Sequence, residues 1–269
     1  MNMNLPYQLI ALDVDGTLLT DDHVLTEGTK DAVRRCYEEG ASIVLCTGRS
    51  PSNTFYLMEE LGLKGILIAH NGGITMESEQ RSVLHSFGFP VEELAGLLDY
   101  CRNTGIHYDA NTVYDMYIDR ITPREQDMYV RFGIRPIRVE DVIAVDEPIL
   151  KFTLFGTSED MDRVEREWAQ TRCSMVPIRS GDYFIDVMHP QATKGNALKQ
   201  LARSRQIPAE QVLAIGNYNN DTAMLQFAGL GIAMGNSPEA VKSAADLTTA
   251  SNNEDGVRAA LLKHVLQLS

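Results

Sequence analysis

Three short apolar runs near the amino end each close on polar or small residues. That repeated ending constrains the fold more than any other feature of the chain. The runs are LIALDV (Leu9–Val14), SIVLCTGR (closing at Arg49) and GILIAH (closing at His70). Apolar runs this short, bounded by turn signals, suit strands buried on both faces of a sheet. Helix-like stretches separate them. Thr26 stands where a cap should open the first helix, with Gly40 just past its end. Ser50-Pro51 opens the second, which stops near Gly62. Strand, helix, strand, helix, strand reads as a right-handed, doubly wound parallel sheet, a Rossmann-like α/β core.

From about Val83 to Met188 the rhythm breaks. Strand-like pieces rich in aromatics (IHYDANTVYDMYI, ILKFTLFG, YFIDVM) alternate with helical stretches at 91–103, 123–132 and 158–171. Their hairpin-like adjacency predicts a separate α+β module. After Pro190 the first rhythm returns. A helix starts at Lys194 behind Thr193, VLAIG forms a strand, and a helix follows Asp221. GLGIAMG forms the next strand, Ser237-Pro238 opens a helix, DLTTA gives a last short strand, and a helix begins near Asp255. The expected organisation is therefore a discontinuous core, 1–83 and 189–269, around an inserted cap at 84–188, with hinges near 82–84 and 188–191.

Composition removes several classes of function. A net charge of −13 over 269 residues is the wrong sign for a general nucleic-acid binder or for attraction to an anionic membrane. No run of about 18 apolar residues appears, and the opening MNMNLPYQLIALD lacks the basic start of a secretory signal. Cys36, Cys46, Cys101 and Cys173 are scattered without a CxxC pair, as small core residues of a reducing compartment would be. A cytoplasmic protein is the expectation. GLGIAMG has the wrong spacing for a dinucleotide loop, no GxxxxGK[ST] occurs, and the six histidines show no zinc spacing.

Four polar segments fall at predicted strand-to-helix junctions. In LDVDGTLL, Asp13 and Asp15 would leave one face of a strand unless the strand ends between them. Two carboxylates so close call for a cation such as Mg²⁺, or else are solvated side chains of an Asp-Gly turn. In LCTGR, the Thr47 hydroxyl and the backbone near Gly48 could hold phosphate oxygens. Arg49 could add charge there or pair on the surface. Lys194 sits at a helix start, where the dipole favours anions and a lysine is out of pattern. In IGNYNND, Asn217, Asn220 and Asp221 are either ligands or Asx-turn and cap residues. Each segment alone is ambiguous. Together they supply two carboxylates, a hydroxyl, a lysine and amides at one sheet edge, the components of phosphoryl transfer.

This combination resembles the haloacid dehalogenase superfamily, whose four motifs match Asp13-Val14-Asp15-Gly16-Thr17, Thr47-Gly48-Arg49, Lys194 and the Gly216–Asp221 turn. With AHNGG, GNSPEAVKSAAD and SNNEDGV added, it resembles the Cof-type sugar phosphatases, which carry a cap of the C2B type. The resemblance spans the core at both ends; the middle segment matches the cap in position and size. It implies that Asp13 takes the phosphoryl group as an aspartyl-phosphate, and that Asp15 protonates the leaving oxygen and later deprotonates water. Thr47 and the backbone N–H groups of Val14 and Gly48 would hold the phosphate, Lys194 would balance its charge, and Asn220 would contact it. Mg²⁺ would take Asp13, the Asp15 carbonyl and the first side chain of the last turn, with Asp221 either supporting these ligands from behind without touching the ion or serving as an alternate ligand.

One position departs from the family pattern: Asn217 stands where a carboxylate is usual. An amide oxygen still suits a hard cation, at the cost of one negative charge. The expected function is a Mg²⁺-dependent phosphatase for small phosphorylated metabolites, sugar phosphates foremost. The alternatives are a phosphomutase-type intramolecular phosphotransferase and a relic that binds a phospho-ligand with little turnover. The tyrosines 108, 114 and 117 are expected in the cap core, and His189 as a structural histidine.

Overall fold

The structure is a computed structural model that describes residues 5–131 and 133–268. Phe132, the last residue of the helix expected at 123–132, lies outside the described residues. The chain forms two compact units, one running up to Ser86 and resuming at Ala192, the other spanning Phe87–Gln191. Each division falls three residues after the expected 83/84 and 188/189 boundaries. Val83–Ser86 is a strand paired in the first unit's sheet. At the other end, His189 stacks on Phe87, ring centroids 5.7 Å apart, and so belongs with the second unit.

In chain order the first unit begins with β1 (Leu9–Asp13), α1 (Glu27–Glu38), β2 (Ser42–Cys46), α2 (Phe55–Leu61), β3 (Ile66–Ala69), β4 (Ile74–Glu77) and β5 (Val83–Ser86). The second unit follows with α3 (Ala95–Thr104), β6 (His107–Asn111), β7 (Met116–Ile118), α4 (Pro123–Arg131), β8 (Ile137–Arg138), β9 (Lys151–Phe155), α5 (Ser158–Glu167), β10 (Val176–Gly181) and β11 (Phe184–Met188). The first unit then resumes with α6 (Lys194–Ser204), β12 (Val212–Gly216), α7 (Thr222–Phe227), β13 (Leu230–Ala233), α8 (Glu239–Ala244), β14 (Leu247–Thr248) and α9 (Gly256–His264).

The first unit's sheet runs β14-β13-β12-β1-β2-β3-β4-β5. From β14 to β3 the pairs are parallel; β4 and β5 are antiparallel, so the sheet is mixed at one edge. Leu9, Ile10, Ala11 and Leu12 of β1 are wholly buried, as a strand covered on both faces must be. Each fully buried large aliphatic side chain there contributes about 1.5–3 kcal/mol. The helix ends obey local chemistry. The Thr26 hydroxyl accepts from the Thr29 amide at 3.2 Å, a cap of about 1 kcal/mol, and Gly62 ends α2 in the left-handed region. Ser50-Pro51 opens a short 3₁₀ turn, and α2 starts only at Phe55.

The second unit's sheet runs β10-β11-β9-β6-β7-β8. Strand alternation splits its faces. Tyr108, Ala110, Phe152, Leu154, Ile185 and Val187 enter an apolar core with Leu97 and Leu98 of α3 and Met161 and Val164 of α5. Asp109, Thr153 and Asp186, which are partners in register, occupy the other face. Of the three tyrosines expected in this core, Tyr108 is buried, whereas Tyr114 is 44% exposed. Tyr117 packs at the margin and donates its hydroxyl to Glu147.

Candidate active site

β1 lies between β12 and β2: the chain builds outward from it through β2 and β3 on one side, and later through β12, β13 and β14 on the other. In open α/β sheets such a switch point opens a crevice at the carboxyl ends of the strands. Three chain segments reach it directly from strands: Asp13 ends β1, Thr47 follows β2, and Asn217 follows β12. The fourth, Lys194, is the first residue of α6, whose Thr193 cap accepts from the Asn196 amide at 3.1 Å. β1 stops at Asp13, so Asp13 and Asp15 do not share a strand face: Asp13 is buried and Asp15 is exposed.

Lys194 is 1% exposed, and its Nζ donates to Asp13 Oδ1 at 2.6 Å and to Asp221 Oδ1 at 2.7 Å. Three charges thus share one dry volume. Burial pushes the Asp13 carboxyl up to about 7, the Asp221 charge adds to the rise, and Lys194 offsets part of it. For Lys194 burial acts downward, but the two carboxylates outweigh it and hold the ammonium above its ordinary value. Asp13 Oδ2 is buried without a hydrogen-bond partner. An unengaged carboxylate oxygen beside a fixed cation is an unsatisfied acceptor, ready for a cation or an electrophilic phosphorus.

Asp221 is wholly buried. Both its oxygens are occupied: Oδ1 by Lys194, Oδ2 by the amides of Asn217 and Tyr218 at 2.8 and 2.9 Å. It folds the IGNYNND turn and anchors Lys194. Arg49 pairs with a carboxylate, one of the two places the sequence left open for it. Its Nε donates to Asp15 Oδ2 at 2.9 Å and a terminal nitrogen to Asp15 Oδ1 at 2.5 Å, with Tyr56 accepting a third bond at 3.1 Å. The guanidinium is a fork on the carboxylate, so its charge is spent on Asp15.

The remaining expected residues converge. Thr47 is buried, and its hydroxyl accepts from the Arg49 amide at 3.1 Å. Val14 is buried, and its carbonyl accepts from the Leu19 amide at 3.0 Å, closing the loop after β1. A Cβ on Gly48 would stand 3.0 Å from Asn71 Oδ1, and the Asn220 amide donates to that same oxygen at 2.9 Å. Gly16 adopts φ +73°, and a Cβ there would lie 2.3 Å from Asn217 Nδ2. The Asn217 side chain therefore rests directly on the loop that carries the Asp15 carbonyl.

These donors fit a hard divalent cation. The Asp13 carboxylate brings one buried negative charge, and the Asn217 amide and the Asp15 carbonyl would supply neutral oxygens. Among the described residues no group of three or more His, Cys, Asp or Glu side chains could hold a metal ion, so a metal set here would draw on amide and main-chain oxygens.

Three residues at the site carried no individual role in the sequence reading. Thr17 is buried, and its side chain works against the rise of the Asp13 carboxyl. Asn236 Nδ2 donates to the Gly16 carbonyl at 2.9 Å, and its Oδ1 accepts from the Asn252 amide at 3.2 Å, tying the β1 loop to two distant turns. Asn71 receives the Asn220 amide. Their signals were the threonine of DGT, GNSPE and AHNGG, which read locally as turn chemistry. No helix among the described residues is long and apolar enough to cross a membrane.

A family model described as haloacid dehalogenase-like hydrolase matches residues 10–261. Among curated proteins, a candidate phosphatase of Bacillus subtilis (strain 168), YxeH, is 34% identical over 267 residues, covering 97% of this chain and 99% of its own. The phosphatase YwpJ of the same organism is 30% identical over 286 residues, covering 96% of this chain and all of its own. Among solved structures, a haloacid dehalogenase-like hydrolase from Bacteroides thetaiotaomicron matches with a TM-score of 0.86 at 28% identity, over 96% of this chain and 99% of that one.

Proposed function

The chain belongs to the haloacid dehalogenase-like hydrolase family, and from that footing we propose that it is a Mg²⁺-dependent phosphatase of small phosphorylated metabolites, sugar phosphates foremost. The observation that carries this reading is the buried Asp13, fixed by Lys194 through one oxygen with the other unengaged. A nucleophilic carboxylate needs that asymmetry: one oxygen held, one free to attack.

In this reading Asp13 attacks phosphorus while the bond to the leaving oxygen breaks, and Asp15 gives that oxygen its proton. Asp15 then takes a proton from water, the water oxygen attacks phosphorus, and the Asp13 carboxylate is released. To carry a proton Asp15 must slip at least one prong of the Arg49 fork, so Arg49 sets the position from which Asp15 works. Thr47, the Val14 and Gly48 backbone and Asn220 hold the phosphate oxygens, and Lys194 balances their charge. Mg²⁺, held by Asp13, the Asp15 carbonyl and Asn217, would draw negative charge off the transferring phosphoryl group.

The test is release of inorganic phosphate from a panel of hexose phosphates, nucleotides, flavin and pyridoxal phosphates, with p-nitrophenyl phosphate as generic substrate and Asp13→Asn as control. Phosphate release that the control lacks supports the reading. An isomerised sugar phosphate without free phosphate would indicate a mutase, and no product from either protein would indicate a relic.

A further inference from the structure

The AHNGG segment has no part in the chemistry above, yet it occupies a tightly constrained turn at the site. His70, Asn71 and Gly72 all take positive φ, +47°, +52° and +101°. Two successive non-glycine residues in the left-handed region cost free energy, and such strain persists only where surroundings hold it. Here they do. The His70 amide donates to the Arg49 carbonyl and the Asn71 amide to the Thr47 carbonyl, both at 2.9 Å. A Cβ on Gly72 would lie 2.3 Å from the Thr193 carbonyl and 2.8 Å from the Lys194 amide nitrogen. The turn is wedged between the Thr47 loop and the start of α6, and its one projecting amide, Asn71, meets Asn220.

We propose that Asn71 is a positioning residue of the phosphate site, acting through Asn220; the proposal rests on the phosphatase reading. A primary amide presents a donor end and an acceptor end of nearly equal shape. A phosphate dianion only accepts, so Asn220 serves it only with the nitrogen end turned inward. Asn71 Oδ1, 2.9 Å from Asn220 Nδ2, is an acceptor that fixes that end and leaves the second N–H of the same nitrogen for a phosphate oxygen. The left-handed backbone at Asn71 aims the acceptor, and Gly48 leaves room for it because a Cβ there would crowd Oδ1 at 3.0 Å. A turn that served only to reverse the chain would need the backbone and not the amide.

Glycine at position 71 separates the two roles, because it keeps the left-handed backbone and removes the amide. The measurement is the Kd of inorganic phosphate by calorimetry in the presence of Mg²⁺, for wild type, Asn71→Gly, Asn220→Ala and the double variant. Turnover of p-nitrophenyl phosphate is followed alongside. Asn71→Gly is expected to weaken phosphate binding and raise KM about fivefold to tenfold, the worth of one well-made hydrogen bond, with kcat within about twofold. The double variant should bind no worse than Asn220→Ala alone, since one interaction has been removed twice. An unchanged Kd in Asn71→Gly, or losses that multiply in the double variant, overturns the inference. Wild-type protein that binds phosphate without turnover defeats the phosphatase reading and leaves the Asn71 comparison readable.

Discussion

Lys194 Nζ lies 2.7 Å from Asp221 Oδ1 in a volume where neither side chain has more than 1% exposure. The cation that steadies Asp13 is itself held by a second carboxylate, which is also pinned by two backbone amides. Removing one member of a buried charged set leaves the others uncompensated. Asp221→Asn should therefore lower stability by roughly 3–5 kcal/mol, seen as a fall in Tm, with no selective change in the Mg²⁺ concentration needed for activity. If Tm holds while the Mg²⁺ requirement rises, Asp221 is a metal ligand and the clamp assignment is wrong.

Asn217 bears the opposite expectation. Its amide rests on Gly16, the residue after Asp15, where a carboxylate would add a negative charge to a set that would otherwise draw its one charge from Asp13. Asn217→Asp should tighten apparent Mg²⁺ affinity, on the order of tenfold, for an added anionic oxygen ligand. Titration of activity against Mg²⁺ reads this directly. A half-saturating concentration equal to the wild type's would remove Asn217 from the ligand set.

The second unit carries a pH signature of its own. Burial pushes the Asp109 carboxyl up to about 6; Lys151 and Asn111 pull it down, and Asp186 pushes it up. Tyr129 also donates to it, at 3.2 Å. Because the folded value exceeds the unfolded one, the folded state binds this proton more tightly. The stability so gained is complete below about pH 4 and is lost as pH rises through 6. Burial takes His107 down to about 4, which works in the opposite sense over an overlapping range. His107 remains in an Asp109→Asn variant, so the difference between variant and wild type isolates Asp109. That difference should favour the variant increasingly from pH 4 to pH 7, by up to about 3 kcal/mol for a shift of two units. Amide-exchange protection of β6 and β9 measures it; a difference independent of pH would show that Asp109 is already charged throughout.

Much of the core was legible because its determinants are local. Apolar runs closing on Asp13, Thr47 and Gly216 mark strand ends, and Thr26, Gly62 and Thr193 mark helix ends within one or two residues. Asp13 was placed by such a strand end, and Lys194 by its unusual position at the start of a helix. What escaped depends on side chains meeting across long separations. Arg49 could have faced a phosphate or a carboxylate, and only the folded loop puts Asp15, 34 positions earlier, within its fork. Asn71 and Asn220 are 149 positions apart, and nothing near either one announces the other. The antiparallel edge of β4 and β5 was missed because ITME and VLHS are too short to show alternation.

The central claim is that Asp13 accepts the phosphoryl group. Borohydride reduces an acyl phosphate on aspartate to homoserine, so the direct measurement is peptide mass spectrometry after borohydride quenching of enzyme turning over substrate with Mg²⁺. Homoserine should appear at position 13, only when substrate is present, and not at 15 or 221. Turnover with position 13 unmodified, or homoserine at another aspartate, would contradict the account.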